Sequence, residues 1–84
     1  MLKEDLLSKV KELLGQEWNL SPDSIPDNAQ LGQFEAWDSL GHISVMLALE
    51  ARFNVEMNSE IIQSLLSVPR IVDFLAEREV VASS

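Results

Sequence analysis

Apolar residues recur at steps of three and four from the start of the chain to Trp18, and charged or polar residues fill the positions between them. This period places the apolar side chains on one side of a helix. The pattern predicts an amphipathic first helix of about four turns that ends between Gly15 and Trp18. We expect Trp18 and Leu20 to fold back onto the core. The apolar positions of this helix are Leu2, Leu6, Leu7, Val10, Leu13 and Leu14.

The segment that follows, residues 21–28, is rich in residues that favour turns. It holds two prolines among Ser, Asp and Asn residues, which predicts a long loop. Ile25 and Leu31 are the apolar residues that we expect to fix this loop to the core. Long loops are uncommon in small domains and often carry function. The loop lacks the alternating ligands, central glycine and closing glutamate of a calcium site.

A second helix is predicted over about Ser39 to Phe53. Asp38 is suited to its start, because an aspartate side chain can accept hydrogen bonds from the free N–H groups of a first turn. The apolar residues of this helix fall on more than one side, so one side faces the core. The remainder is either a partner contact surface or part of a broadly buried helix. These apolar residues are Leu40, Ile43, Met46, Leu47, Leu49 and Phe53.

Two further helices complete the pattern. Asn58 or Ser59 can cap a short third helix, and residues 67–70 open the last helix with Pro69 in its first turn, where proline is tolerated. The prediction is an all-α fold: a small four-helix bundle with a long first loop and a short third helix. We expect one domain over residues 1–84, with a core over about 2–76 and a tail over 77–84 that frays at residues 80–84.

The composition restricts the chemistry available to this chain. Its 84 residues are 46% hydrophobic, enough for a small core. It has no cysteine, which excludes disulfides, thiolate metal sites and cysteine nucleophiles. No apolar run reaches the length of a membrane span, and the first residues do not form a signal peptide. We therefore expect a cytoplasmic protein that does not contact membranes.

The charge is strongly and unevenly acidic. The net charge is −8, from 14 acidic and 6 basic residues, and no Lys or Arg occurs in residues 12–51. Such a surface repels nucleic acid and anionic membranes and attracts basic partner proteins. The same charge also serves solubility, which is the simpler interpretation for an acidic domain.

The candidate chemistry centres on Ser39. Asp38 and Ser39 lie where the polar loop turns into the second helix, so a phosphodiester on Ser39 would lie at the positive end of that helix. An ordinary helix start explains the same residues. His42, the single histidine, shares a helix face with Ser39 and raises the alternative of an autonomous hydrolase. No oxyanion hole, glycine-rich phosphate loop or metal-ligand cluster accompanies them, so we expect neither an enzyme nor a metal site.

Four segments along the chain carry a resemblance to a known family: residues 10–15, residues 27–29, Asp38-Ser39-Leu40, and residues 47–50 followed by Phe53. In this order and spacing they resemble acyl carrier proteins, and the resemblance covers essentially the whole chain. It implies a carrier and not an enzyme. In that family a phosphopantetheinyl transferase attaches 4′-phosphopantetheine from coenzyme A to the motif serine, here Ser39. The thiol of the arm then holds acyl intermediates as thioesters and presents them to partner enzymes.

The resemblance also implies roles for individual positions. Asp38 would cap the helix and help the transferase to recognise the site. Leu40 and Leu47 match apolar partner contacts, and Glu50 and Glu56 match acidic ones. The implied partners are the transferase and acyl-loading and acyl-processing enzymes with basic docking surfaces. Nucleic acid is not an expected partner, and we expect a monomer.

Several positions depart from the family pattern. Gly41 and Ser44 replace acidic residues after the motif, and Ala51 and Arg52 replace glutamates later in the helix. Trp37 replaces a small residue, and residues 35–36 replace the usual Leu-Gly. We infer a dedicated carrier for a specialised pathway, such as polyketide, aminoacyl or modified-sugar acyl transfer, although fatty-acid synthesis stays open. His42 would line the mouth of an acyl pocket or cap it.

Two other interpretations share most of these features. An aminoacyl or peptidyl carrier would use the same arm on Ser39 and differ in its load. An unmodified helical interaction domain would keep only the fold, and Ser39 would never receive the arm.

Overall fold

The computed structural model describes the backbone of residues 2–83 and the side chains of residues 2–78. No β-strand occurs in that backbone; a single antiparallel bridge joins Gln30 to Ser67. The all-α prediction, with a long first loop and a short third helix, is confirmed. The helices are α1 Lys3–Trp18, α2 Ser39–Phe53, α3 Ser59–Ser64 and α4 Val68–Ser83, and a short 3₁₀ turn covers Pro22–Ser24.

The core lies between α1, α2 and α4, with α1 packed against both of the other helices. The period of three and four in the sequence produces this arrangement, because it gives each helix one apolar side. The hydrophobic side chains buried from these helices are Leu6, Val10, Leu13 and Leu14 of α1, Val45, Met46 and Leu49 of α2, and Val68, Ile71, Val72 and Leu75 of α4.

Helix ends are set by local residues. Asn58 caps α3 by accepting a hydrogen bond from the Ile61 N–H at 2.9 Å, as the sequence predicted. Asn19 and Asn54 follow α1 and α2 in the left-handed conformation, with φ of 59° and 55°. Asparagine tolerates this conformation better than most residues and often ends a helix there.

The long loop is fixed to the body by buried apolar residues and by backbone hydrogen bonds. Ile25 and Ala29 are buried, and Leu31 packs against the core while partly exposed, which confirms the expected role of Ile25 and Leu31. The Leu31 N–H donates to the Leu66 carbonyl, and the Val68 N–H donates to the Ala29 carbonyl, both at 2.8 Å. The loop is therefore joined to the start of α4.

One expectation about the end of α1 was wrong. Trp18 packs against the core, but Leu20 is 40% exposed. The Leu20 N–H donates to the Gly15 carbonyl at 2.8 Å. This bond closes the end of α1 with the backbone of Leu20, and its side chain remains at the surface.

The C-terminal part of the chain is a continuation of α4. Its backbone is helical as far as Ser83. The expected fraying of residues 80–84 is not seen in this backbone, which is helical over residues 80–83, and Ser84 lies outside the described part. Most side chains of the predicted tail, 77–84, also lie outside it. The limits of core and tail therefore stay predictions. None of the helices in the described part is long and apolar enough to cross a membrane.

Substitutions at Leu47 and Leu49 test which leucines of α2 lie in the core and which lie at the surface. Leu49 is fully buried and Leu47 is 57% exposed. Leu49→Ala should lower the free energy of unfolding by about 2–5 kcal/mol, because it removes buried methyl groups and leaves a cavity. Leu47→Ala should change it by less than about 0.5 kcal/mol. Urea unfolding of both variants checks this, and equal losses would contradict the described packing.

Candidate functional site

Ser39 is the first residue of α2, and its side chain is exposed. No hydrogen bond of its hydroxyl is found within the described part of the chain. The preceding residue, Asp38, has extended backbone angles, and its carboxylate accepts from the Gly41 N–H at 2.8 Å. The Asp38 carbonyl accepts from the His42 N–H, also at 2.8 Å. The predicted cap is confirmed, and the Ser39 hydroxyl is left available to solvent.

The start of α2 suits a phosphodiester attached to Ser39. Backbone N–H groups in a first helical turn lack partners within the helix and carry partial positive charge. No acidic side chain lies within the first turn itself. The carboxylate of Asp38 is adjacent, but it is engaged with Gly41. Ser39 is therefore an exposed hydroxyl at the positive end of α2, where the charge of a phosphodiester is favoured.

Gly41 lets the loop lie directly against this turn. A Cβ atom built on Gly41 would be 2.0 Å from the Ala36 carbonyl oxygen, far inside van der Waals contact. The loop is held in that position by its own hydrogen bonds, from the Gly32 N–H to the Trp37 carbonyl and from the Trp37 N–H to the Phe34 carbonyl. A glycine at position 41, where the family pattern has an acidic residue, thus has a structural reason, because an acidic side chain would not fit there.

Trp37 and His42 form a buried pair beneath the turn. The Trp37 indole Nε1–H donates to His42 Nδ1 at 3.0 Å, and His42 Nε2 lies 2.7 Å from the Ile62 carbonyl oxygen. Trp37 is fully buried and His42 is 4% exposed. Sequence reasoning missed this pair, because a Trp and a His five residues apart do not form a recognisable motif.

The position of His42 removes the support for an autonomous hydrolase. A general base for Ser39 needs a free ring nitrogen within hydrogen-bonding reach of the serine hydroxyl. Both ring nitrogens of His42 are already engaged, with Trp37 and with Ile62. In the described part, no group of three or more His, Cys, Asp or Glu residues could hold a metal ion.

The proposed partner contacts lie at the surface. Leu40 is 79% exposed, and Ile43 and Leu47 continue the same exposed side of α2 toward Glu50. Because these positions are three or four residues apart, they form one row along the helix. Glu56 is also exposed but follows the end of α2. The structure therefore gathers Ser39, Leu40, Leu47 and Glu50 on one helix and places Glu56 beyond it.

Beyond the Asp38 carboxylate at its cap, the surface of α2 carries no charge along its first turns. From Ser39 to Leu49 the helix contains no Asp, Glu, Lys or Arg, and its charged residues are Glu50 and Arg52. The Arg52 guanidinium donates to the Gln16 side chain of α1 at 2.7 Å. The net charge of −8 therefore belongs to the molecule as a whole and not to the first turns of α2.

No family model matches this chain, but curated proteins of similar length do. An acyl carrier protein of Thermosynechococcus vestitus is 28% identical over 89% of this chain and 93% of its own length. Those of Sulfurovum sp. and Wolinella succinogenes are 26% and 23% identical over 83% of the chain, and 93% and 92% of their own lengths are covered. These similarities extend over most of the chain.

A substitution at Gly41 tests the close approach of the loop. Replacing glycine by alanine inside a helix usually stabilises a protein by roughly 0.5–1 kcal/mol. At this position we expect the opposite, a loss of about 1–3 kcal/mol, because the new methyl group would overlap the Ala36 carbonyl. Urea unfolding of Gly41→Ala checks the sign. Ser44→Ala, at an exposed position of the same helix, is the control and should be close to neutral.

The cap at Asp38 gives a separate prediction. Asp38→Ala should destabilise the fold by about 0.5–2 kcal/mol, because the Gly41 N–H loses its acceptor. Asp38→Asn should lose much less, since the amide oxygen can still accept. Thermal unfolding of the two variants makes the comparison, and an equal loss in both would show that the cap does not depend on this hydrogen bond.

Proposed function

We propose that this chain, a homologue of acyl carrier proteins along most of its length, carries acyl groups on a 4′-phosphopantetheine arm attached to Ser39. The observation that carries the proposal is the placement of Ser39 at the capped start of α2, exposed and with its hydroxyl unengaged within the described part. The similarity to acyl carrier proteins supports the carrier role at the level of the family. The attachment to Ser39 is our inference from this site.

The attachment would be a phosphoryl transfer catalysed by a separate transferase. The Ser39 Oγ forms a bond to the phosphorus that carries the pantetheine arm in coenzyme A. The bond from that phosphorus to the bridging oxygen breaks, and adenosine 3′,5′-bisphosphate leaves with the electron pair. The hydroxyl proton passes to a base of the transferase. This chain contributes an accessible hydroxyl and the N–H groups at the start of α2, which favour the phosphate charge.

The bound arm supplies a thiol, which this cysteine-free chain lacks, and that thiol holds an acyl group as a thioester. The chain itself brings the tethered group to successive enzymes. Attachment to one carrier replaces a free bimolecular encounter by a high effective concentration of the acyl group at each active site.

The partners in this proposal approach along the exposed side of α2. Asp38 contributes to recognition by the transferase, and Leu40 and Leu47 provide apolar contacts for the acyl-processing enzymes. Glu50 and Glu56 meet basic groups on those enzymes. The acidic net charge of −8 disfavours nucleic acid and anionic membranes as partners. A monomeric, cytoplasmic carrier remains part of the proposal.

The neutral surface between Ser39 and Leu49 bears on the pathway. Partners of this carrier gain less from charge attraction near Ser39 than partners of a carrier with acidic residues there. We infer a dedicated carrier for a specialised biosynthetic pathway, of the polyketide, aminoacyl or modified-sugar acyl type, in preference to general fatty-acid elongation. Support of elongation by a fatty-acid synthase, at the rate of that system's own carrier, would contradict this inference.

The attachment is tested by the intact mass of the folded protein after incubation with coenzyme A and a broad-specificity phosphopantetheinyl transferase. We expect the wild type to gain the mass of one phosphopantetheine and Ser39→Ala to gain none. Ser44→Ala, which removes another exposed serine of α2, should be modified like the wild type.

Each alternative result has a distinct meaning. A gain that persists in Ser39→Ala would show that the site is wrong. No gain on a folded wild-type protein that lacks the arm beforehand would favour the unmodified helical interaction domain. Once the arm is attached, acceptance of an amino acid from an activating enzyme, and of no acyl group, would identify an aminoacyl carrier.

A further inference from the structure

Trp37 and His42 lie on either side of the turn that presents Ser39. Trp37 directly precedes the cap Asp38, and His42 follows Gly41 in the first turns of α2. The hydrogen bond from the Trp37 indole to His42 therefore closes a ring of contacts around residues 38–41. Both side chains are buried. Ser39, which lies between them in the sequence, is at the surface.

The partners of the His42 ring determine which nitrogen carries its proton. An indole N–H can only donate, so His42 Nδ1 accepts from Trp37. A carbonyl oxygen can only accept, so His42 Nε2 donates to Ile62. These two bonds require the Nε2–H tautomer of His42, and they fix the orientation of the ring from both sides. With the other tautomer, Nδ1 could not accept from Trp37 and Nε2 could not donate to Ile62.

The bond to Ile62 also stabilises the end of α3. This helix covers Ser59–Ser64. The last carbonyl groups of a helix receive no hydrogen bond from the same helix and need other donors. The Ile61 carbonyl accepts from the Leu65 N–H and from the Ser64 hydroxyl. The Ile62 carbonyl accepts instead from His42 of α2. His42 thus links α3 to the turn that contains Ser39.

We propose that Trp37 and His42 are positioning residues for the modification of Ser39. The proposal rests on the function proposed above. Loss of the bond would free the loop that carries Trp37 from the first turns of α2, because the indole and the imidazole would no longer hold each other across residues 38–41. The loop that carries Trp37 and the first turn of α2 are the parts that would open. Ser39 would then meet the transferase on a frayed turn and not on a formed helix start.

The chain contains a matched control in Trp18. Its ring centroid lies 5.3 Å from that of Trp37 in the same aromatic cluster. Its Nε1 atom is buried and has no hydrogen-bond partner within the described residues. Trp37→Phe and Trp18→Phe therefore remove the same atoms from neighbouring rings, but only the first removes a hydrogen bond.

The experiment measures kcat/KM of a phosphopantetheinyl transferase for each variant, under conditions where circular dichroism shows that the variant is folded. We expect Trp37→Phe to lower kcat/KM by roughly tenfold, as for the loss of a buried hydrogen bond, and Trp18→Phe to stay within about twofold of the wild type. Equal kcat/KM values for the two folded variants would overturn the proposal.

Two substitutions of His42 separate its two hydrogen bonds. Asn has a polar atom near the place of Nδ1 and can still accept from Trp37, whereas Gln has one near the place of Nε2 and can still donate to Ile62. We expect His42→Gln to lower kcat/KM as Trp37→Phe does, and His42→Asn to recover most of that loss. Recovery by Gln and not by Asn would show that the link to α3, and not the bond to Trp37, positions Ser39.

A spectroscopic measurement reports the bond directly. In ¹H–¹⁵N spectra the Trp37 indole N–H should exchange with solvent more slowly in the wild type and His42→Asn than in His42→Gln. A purely structural role of the pair would make kcat/KM follow global stability in all variants, including Leu49→Ala. An absence of modification in the wild type would overturn the proposed function itself, and this result is distinct from a loss confined to the Trp37 and His42 variants.

Discussion

The buried hydrogen bond between the Trp37 indole and His42 is the interaction on which the geometry of the site depends. The Trp37 indole is buried, and the acceptor of its N–H lies on the helix that the loop must approach. The loop reaches that position because Gly41 has no side chain to obstruct the Ala36 carbonyl. The same histidine also forms a hydrogen bond with the carbonyl of Ile62 at the end of α3. One ring thus connects the loop, α2 and α3 next to the exposed Ser39.

The two sides of the second helix lie in different environments, one in the core and one at the surface. Its buried side supplies Val45, Met46 and Leu49 to a core that has no disulfide to support it. Its other side exposes Leu40, Ile43 and Leu47 in a row that starts beside Ser39. Exposed leucines in such a row do not contribute to folding, and a protein surface that retains them is typical of a contact with another protein.

Charge is distributed unevenly over the surface of this protein. The molecule as a whole is acidic, so that long-range attraction toward basic partners is available. Close to Ser39, however, the contact would be made by apolar and small polar groups. In such an arrangement charge affects the rate of encounter, while apolar contacts decide the stability of the complex. This combination agrees with the proposal of a carrier that serves a small set of dedicated partners.

The sequence by itself determined the features that depend on neighbouring residues. The limits of α2, the caps at Asp38 and Asn58, the pinning of the loop by Ile25 and the placement of Ser39 followed from periodicity and capping, because these operate within a few residues. The resemblance in sequence to acyl carrier proteins added the candidate role.

Only the tertiary structure decided which side of α2 faces the core, and thus that Leu47 is exposed while Leu49 is buried. It also decided that Leu20 remains at the surface, that Gly41 is required by the Ala36 carbonyl, and that His42 bonds to Trp37 and Ile62. The physical reason is that each of these depends on the approach of segments that are separated along the chain or joined by an irregular loop. Local sequence preferences do not specify such distances, which are fixed when the helices pack together.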